Sequence, residues 1–482
     1  MDKRTYFTNF IWRSLERWGA LGLSFIVSII LARILDPSVY GTIAIVTVLI
    51  TILDIFLDSG FGNALIQKKD ADELDYSSIF YFNVAFSALL YVLLFLLAPV
   101  LASFFDLPEL TNVVRVMGIS VFITGVKNIQ QSYVTKHMMF KKFFFATLIG
   151  TVCAAVVGLT MAYNGFGVWA LVAQYVCNNL VDTIALWILV KWRPQAKFSL
   201  QRVKLLFPFA WKLLASSVIF QGYQQLRQLL VGKFYTKSDL AYYNQGYQFP
   251  NLLSSNLNAS INSIMFPAMS RVQDDKVHVR NMLSRSIKTS QFVVCPFVLG
   301  LAACADTFVK VILTDKWLPC VPYLQLFCIA FMFGQMGTAN QNAHISVGRS
   351  DLKLKTEIGK TGLDLIVLII TVFISPLAIA IGYALSTIPR MVICAWPTKK
   401  LLNYSFVQQI KDILPNLCIG LIMAICVKLI GMIKLPTLVL FLVQILIGVV
   451  IYVGLSIITK NDSFYYIFNL IKPFFNRKKG KE

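Results

Sequence analysis

An all-α polytopic membrane protein is predicted by three features of this 482-residue sequence. Hydrophobic residues make up 57% of it and charged residues only 14%, well below the roughly one quarter of charged residues in soluble domains. Apolar runs of about 18–25 residues recur from end to end, each long enough to cross a hydrocarbon core of about 30 Å. The runs are continuous and do not alternate, which excludes an outer-membrane barrel. A mean hydropathy of +0.69 agrees.

Fourteen spans are expected in chain order. The first six cover residues 14–35, 40–64, 78–104, 111–133, 143–163 and 166–190. The next six cover 207–231, 240–266, 287–313, 321–345, 359–378 and 380–398, and the last two 411–431 and 436–459. Ahead of them, MDKRTYFTNFIWRSLERWG carries Lys3, Arg4, Arg13 and Arg17 and lacks the short apolar core and cleavage site of a signal peptide. A short amphipathic lead-in is expected there. The first span ends at a tight turn, Asp36-Pro37-Ser38. The second holds Asp54 and Asp58, four residues apart and so on one helix face, followed by Gly60 and Gly62. Lone charges do not face lipid, so these carboxylates predict a polar interior. The eighth span, rich in Asn, Ser and Gln and holding Pro250, is too polar for a lipid-facing helix and is expected to be covered or to line a cavity.

Arg33, Ser38, Tyr40 and Gly41 open the second span, and Lys233, Ser238, Leu240 and Ala241 open the eighth at the same spacing, about 200 residues later. That echo predicts two like-oriented six-helix lobes, residues 1–190 and 205–400, joined by a basic connector over 191–204. Residues 401–482 add two helices and the basic tail IKPFFNRKKGKE. Repeats of this kind are a common transporter architecture, with the site between the halves.

The formal net charge is +21, from 44 Lys and Arg against 23 Asp and Glu. The cations gather in alternate loops, among them 68–69, 127–142, 191–204, 271–288, 349–360 and 460–481, while the opposite connectors hold few. This is the positive-inside pattern, with both termini cytoplasmic. Nucleic-acid binding is excluded, because no basic segment belongs to a recognisable binding module. The outside loops, such as residues 106–110 and 164–167, leave no room for an extracytoplasmic domain. The nine cysteines stand singly, without CxxC spacing, and read as packing residues. With only three histidines, a His-based metal centre is not expected. The sequence has no phosphate-binding GxxxxGK[ST] loop.

An ionisable residue inside a span is a functional candidate. Here these are Asp54, Asp58, Arg115, Lys127, Asp182, Lys212, Arg227, Asp364 and Arg390. Arg115 and Lys428, nearer span ends, can snorkel. Each also has a bland role open to it, as a polar clamp between helices. Arginines in both halves suit an anionic substrate, since the guanidinium fork makes paired charged hydrogen bonds. The substrate-binding candidates are Arg227, Arg390, Arg115 and Lys212, with the amides of Gln224 and Gln225. Asp54, Asp58 and Asp364 are the candidates for coupling to a proton or sodium ion, because close carboxylates disfavour ionising together. No resident cofactor is expected. Aromatic and amide groups around Tyr223 and Tyr247 suit sugar faces, whereas Tyr242 and Tyr243 are expected in an interfacial belt.

The stretches LARILDPSVYGTIAIV, LDSGFGNALIQKKD, VGKFYTKSDLAYYNQGYQFPNLL and INSIMFPAMSRVQDD resemble the polysaccharide flippases of the Wzx type, within the MOP exporters. The resemblance covers nearly the whole chain. It implies a bacterial inner-membrane protein that moves undecaprenyl-diphosphate-linked oligosaccharides to the outer leaflet, by alternating access between two lobes around a cationic cavity. It implies a lipid-linked substrate, a monomer, and contact with polysaccharide polymerase and chain-length machinery. One departure stands out: Arg227 precedes Gln228-Leu229-Leu230-Val231-Gly232 where the family commonly has an acid. Coupling would then rest on Asp54, Asp58 or Asp364. Two other readings stay open: a cation-coupled multidrug exporter of the same superfamily, which would want an acidic cavity, and a membrane polysaccharide polymerase or ligase, which would want a large outer loop.

Overall fold

The computed structural model describes residues 22–58, 60–68 and 70–476. The expected N-terminal lead-in, the start of the first expected span and the last residues of the basic tail lie outside them, as do the side chains of Asp58 and Lys212. Among the described residues all regular structure is helical. The helices are α1 (Gly22–Ile34), α2 (Pro37–Asp58), α3 (Phe61–Gln67), α4 (Glu73–Phe104), α5 (Leu110–Lys136), α6 (Phe140–Tyr163), α7 (Val168–Leu189) and α8 (Leu200–Phe234). They continue with α9 (Lys237–Ser270), α10 (Lys276–Ala303), α11 (Ala305–Ile312), a 3-10 turn (Asp315–Cys320), α12 (Val321–Met332) and α13 (Gly334–Ser346). The chain ends with α14 (Ser350–Thr371), α15 (Pro376–Leu385), α16 (Thr387–Leu402), α17 (Phe406–Ile430), α18 (Thr437–Ile458) and α19 (Asp462–Asn476).

Ten described segments are long and apolar enough to cross a membrane, and they coincide with ten of the fourteen expected spans. The other four expected spans fall on α1, which is described in part, and on α8, α9 and α14. The last three hold Arg227, the Asn- and Ser-rich stretch and Asp364.

The chain forms two compact units, Met1–Ala241 and Tyr242–Glu482. In the first, α4 packs on α5, α6 on α7, and α2 on α5 and α8. In the second, α10 packs on α12 and α17, α17 on α18, and α13 on α16. Outer helices reverse the pattern of a soluble protein. On α18, Leu442, Leu446, Val449 and Val453 are exposed, whereas Gln444, Tyr452 and Ser456 are buried. Gln444 Nε2 donates to the Val427 carbonyl at 3.1 Å and Tyr452 OH to that of Phe292 at 2.8 Å. Side-chain hydrogen bonds of this kind join helices where lipid supplies no hydrophobic drive.

The turns at the two echoing motifs match. One helix ends at Ile34 and the next begins at Pro37; likewise α8 ends at Phe234 and α9 begins at Lys237. The first copy needs its glycine: a Cβ on Gly41 would sit 2.0 Å from the Lys237 carbonyl oxygen.

The connector after α7 is not a loose linker. Gln195 and Ser199 donate backbone N–H groups to Ser77 and Ser78 on α4, at 2.9 and 3.0 Å. Trp192 Nε1 donates to Glu73 at 2.7 Å, and its ring stacks on Tyr133 with centroids 5.9 Å apart.

Candidate functional site

One polar interior site in the second unit is built where α15 gives way to α16. Pro389 lacks an N–H and its ring opposes the Leu385 carbonyl, so α15 stops at Leu385 and α16 starts at Thr387. The Tyr383 carbonyl collects side-chain donors here. It accepts from Ser386 Oγ at 2.9 Å, Thr387 Oγ1 at 3.3 Å and the Arg390 guanidinium at 3.3 Å. Arg390 also donates to Thr387 Oγ1 at 2.9 Å and lies 4.3 Å from the Tyr383 ring centroid.

Asp364 on α14 completes the site. It is 7% exposed and accepts from Ser386 Oγ at 3.0 Å and from Arg390 at 3.3 Å. Sequence reasoning marked Asp364 for ion coupling and Arg390 for substrate binding; the structure joins them in one ion pair. A phosphate competing for the guanidinium, or a proton arriving on the carboxylate, would part the two. The Tyr383 ring continues into an aromatic run: Phe327 lies 5.8 Å away, and Tyr243 and Tyr247 each meet Phe327 edge-on at 5.2 Å. Tyr243 is 1% exposed, which corrects the interfacial belt expected for it. Its ring packs against Tyr323 and Phe327, and that core outweighs the polar hydroxyl. Tyr242 packs edge-on to the buried Trp317.

In the first unit Arg227 is 2% exposed on α8 and donates to Gln224 Oε1, one turn back, at 3.2 Å. Gln225 is half-buried on the same helix, and Asp54 is half-buried on α2. Arg115 takes part in α4–α5 packing: its guanidinium lies 4.4 Å from the Phe95 ring centroid and reaches the Phe95 carbonyl at 3.5 Å. Lys127 and Asp182 pair at 3.2 Å and tie α5 to α7. Lys428, expected to snorkel, pairs with Asp306 at 2.8 Å. Of the nine cysteines, Cys295, Cys304, Cys320, Cys328 and Cys394 are buried. No group of three His, Cys, Asp or Glu residues is placed to hold a metal among the described residues.

One charged cluster escaped sequence reasoning. Asp75, fully buried in the first turn of α4, accepts from Lys68 at 2.5 Å and Arg202 at 3.3 Å, and Arg202 also reaches Asp72 at 3.1 Å. Asp72 caps α4, and the Asp75 N–H it accepts holds its carboxyl below the usual range. The signal was present in DADELD, an acidic run before an apolar helix. A second pair binds Lys237 to Glu109 at 2.6 Å; this hydrogen bond lowers the Glu109 carboxyl below its ordinary value.

Residues 30–322 match the family described as polysaccharide biosynthesis protein. The chain belongs to this family. The succinoglycan biosynthesis transport protein ExoT of Rhizobium meliloti (strain 1021) is 25% identical over 330 residues, 68% of this chain and 67% of that protein. The lipopolysaccharide biosynthesis protein WzxC of Escherichia coli (strain K12) is 24% identical over 358 residues, 73% of this chain and 72% of that protein. The inward closed structure of the lipid II flippase MurJ shares the fold, with a TM-score of 0.80, 14% identity, and coverage of 94% of this chain and 99% of that one. This polysaccharide biosynthesis protein is accordingly a multi-pass membrane protein, similar in sequence to WzxC and sharing the helical fold of MurJ.

Proposed function

We propose that this chain carries a lipid-linked oligosaccharide from the cytoplasmic to the outer leaflet of a bacterial cytoplasmic membrane, for export of a surface polysaccharide. A diphosphate headgroup does not cross hydrocarbon unaided, because burying its charge costs many kcal/mol. A cationic cavity with alternating access to either side removes that cost while the lipid tail stays in the bilayer. The observation that carries the reading is the buried Asp364–Arg390 pair at a broken helix. Interruptions in membrane helices are where transporters bind anions and coupling ions, and α15 and α16 are separated at Ser386. On this reading Arg390 and Arg227 bind the diphosphate, Gln224 and Gln225 meet sugar hydroxyls, and Arg115 and Lys212 add charge. A proton or sodium ion at Asp364, Asp54 or Asp58 releases or restores the arginine. Fourteen spans, two six-helix lobes with two added helices, cytoplasmic termini and a monomer handing its cargo to polymerase and chain-length machinery belong to the same proposal.

The test is the fate of the lipid-linked oligosaccharide in a strain lacking this gene, probed in inverted and right-side-out membrane vesicles. Accumulation of complete units in the cytoplasmic leaflet, with loss of surface polysaccharide, is the expected result. Unchanged surface polysaccharide with altered sensitivity to cationic drugs would instead favour a multidrug exporter. Full flipping by both Arg227→Ala and Arg390→Ala would sink the charged-cavity part.

A further inference from the structure

Away from the broken helix, two cavities of about 380 and 420 Å³ open among α10, α17 and the α18–α19 turn. Both are lined by Lys288, Asp462 and Ser463, so they are lobes of one cleft. Its charges are unevenly committed. Asp412 is already compensated, accepting from Ser284 Oγ, from Tyr404 OH at 2.6 Å and from Lys288 Nζ at 3.1 Å. Arg285, Lys411 and Lys460 line the same cleft and form no ion pair among the described residues. Arg285 is held over the Tyr466 ring, 4.0 Å from its centroid. Asp462 is the one carboxylate that offsets these three cations, so the cleft stays cationic.

Lys460 adds a second, independent observation. It closes α18 in the left-handed conformation, with φ of 50°, while the Asn461 N–H reaches back to the Ser456 carbonyl at 3.0 Å. Glycine is the usual residue at such a helix end. A lysine there sacrifices backbone comfort at a residue that lines the cleft. One wall of the cleft is apolar, formed by Ile419, Ile422 and Leu455. A polar mouth with an apolar wall fits an amphipathic anion. Basic pockets between membrane helices are known to take anionic headgroups.

We propose that this cleft binds a phosphate-bearing anion, the headgroup of an anionic phospholipid whose chain lies against Ile422 and Leu455. The site is separate from the transport site and does not depend on which cargo is carried. The test uses the full chain, purified in detergent, with thermal unfolding followed as phosphatidylglycerol, phosphatidylcholine or inorganic phosphate is titrated. Phosphatidylglycerol is expected to raise the midpoint and phosphatidylcholine to leave it unchanged. Joint Lys411→Ala and Lys460→Gly replacement is expected to weaken the phosphatidylglycerol effect roughly tenfold or more. The starting midpoint should hold, because glycine suits the left-handed position. Lys353→Ala with Lys355→Ala, on α14, should titrate like the native chain. Should the double variant fail to fold, Lys411→Ala alone, at an exposed position, carries the test. Equal protection of native and lysine-depleted chains overturns the proposal. Lysine-dependent protection by inorganic phosphate upholds the anion site and reassigns its occupant to a soluble phosphate.

Discussion

Asp75 and Asp364 are both buried carboxylates held by arginine, but they sit at different places in their helices. Asp75 lies in the first turn of α4, where it accepts from Lys68, Arg202 and the Asp72 N–H. Arg202 is 37% exposed there, so water shares the charge. Asp364 lies inside α14 and meets Arg390 at the break between α15 and α16, with both side chains 16% exposed or less. The first arrangement is a clamp: several donors converge on one acid at a helix N-terminus, which the helix dipole also favours. The second is a single arginine meeting a buried acid beside the Ser386 turn. Under the proposed function, the first kind of ion pair holds helices and the second exchanges partners.

That division can be broken most directly at Arg390. Arg390→Ala leaves the Asp364 carboxylate buried without its guanidinium and should cost about 3–5 kcal/mol, read as a lower unfolding midpoint in detergent together with loss of surface polysaccharide. Combining Asp364→Asn with Arg390→Met should recover most of the stability but none of the export. If export returns as well, the pair is a clamp like Asp75. Next in size, Asp75→Ala should destabilise by about 1–3 kcal/mol, while the protein that still folds keeps its export. A specific transport defect there, at normal protein level, would erase the distinction. Arg202→Ala, removing an arginine that is partly exposed, should shift stability by about 1 kcal/mol or less.

The smallest effect is one of pH. Asp72 titrates below its ordinary value of 3.8 in the folded chain, chiefly because its carboxylate accepts the Asp75 N–H. A depressed folded value contributes stability that is complete above the unfolded value and is lost as pH falls through the folded one. The clamp should therefore weaken in acid below about pH 4, and Asp72→Asn should remove that part of the pH dependence, as measured by unfolding midpoints between neutral and acid buffers.

Much of this molecule is legible locally. Ten spans are plain in the sequence because a lipid-crossing helix must be apolar over its own length, and that condition involves no other part of the chain. The matching turns before Pro37 and Lys237 are legible for a similar reason, since helix-start signals lie within a few residues. The individual importance of Asp364 and Arg390 also shows, because charge in a span is rare whatever surrounds it.

What only the tertiary structure decided is pairing. Residues 364 and 390 lie on separate helices, and nothing in either stretch states that the break at Ser386 turns one toward the other. The connector reads as a basic linker by composition, yet Trp192 and Arg202 dock on the acidic start of α4, more than 115 residues earlier in the chain. Tyr243 reads as an interfacial tyrosine because its side chain suits both water and lipid, and only the neighbouring Tyr323 and Phe327 rings make it core. Hydropathy is a property of one segment. Which carboxylate an arginine meets is a property of how segments pack, and that information is spread across distant parts of the sequence.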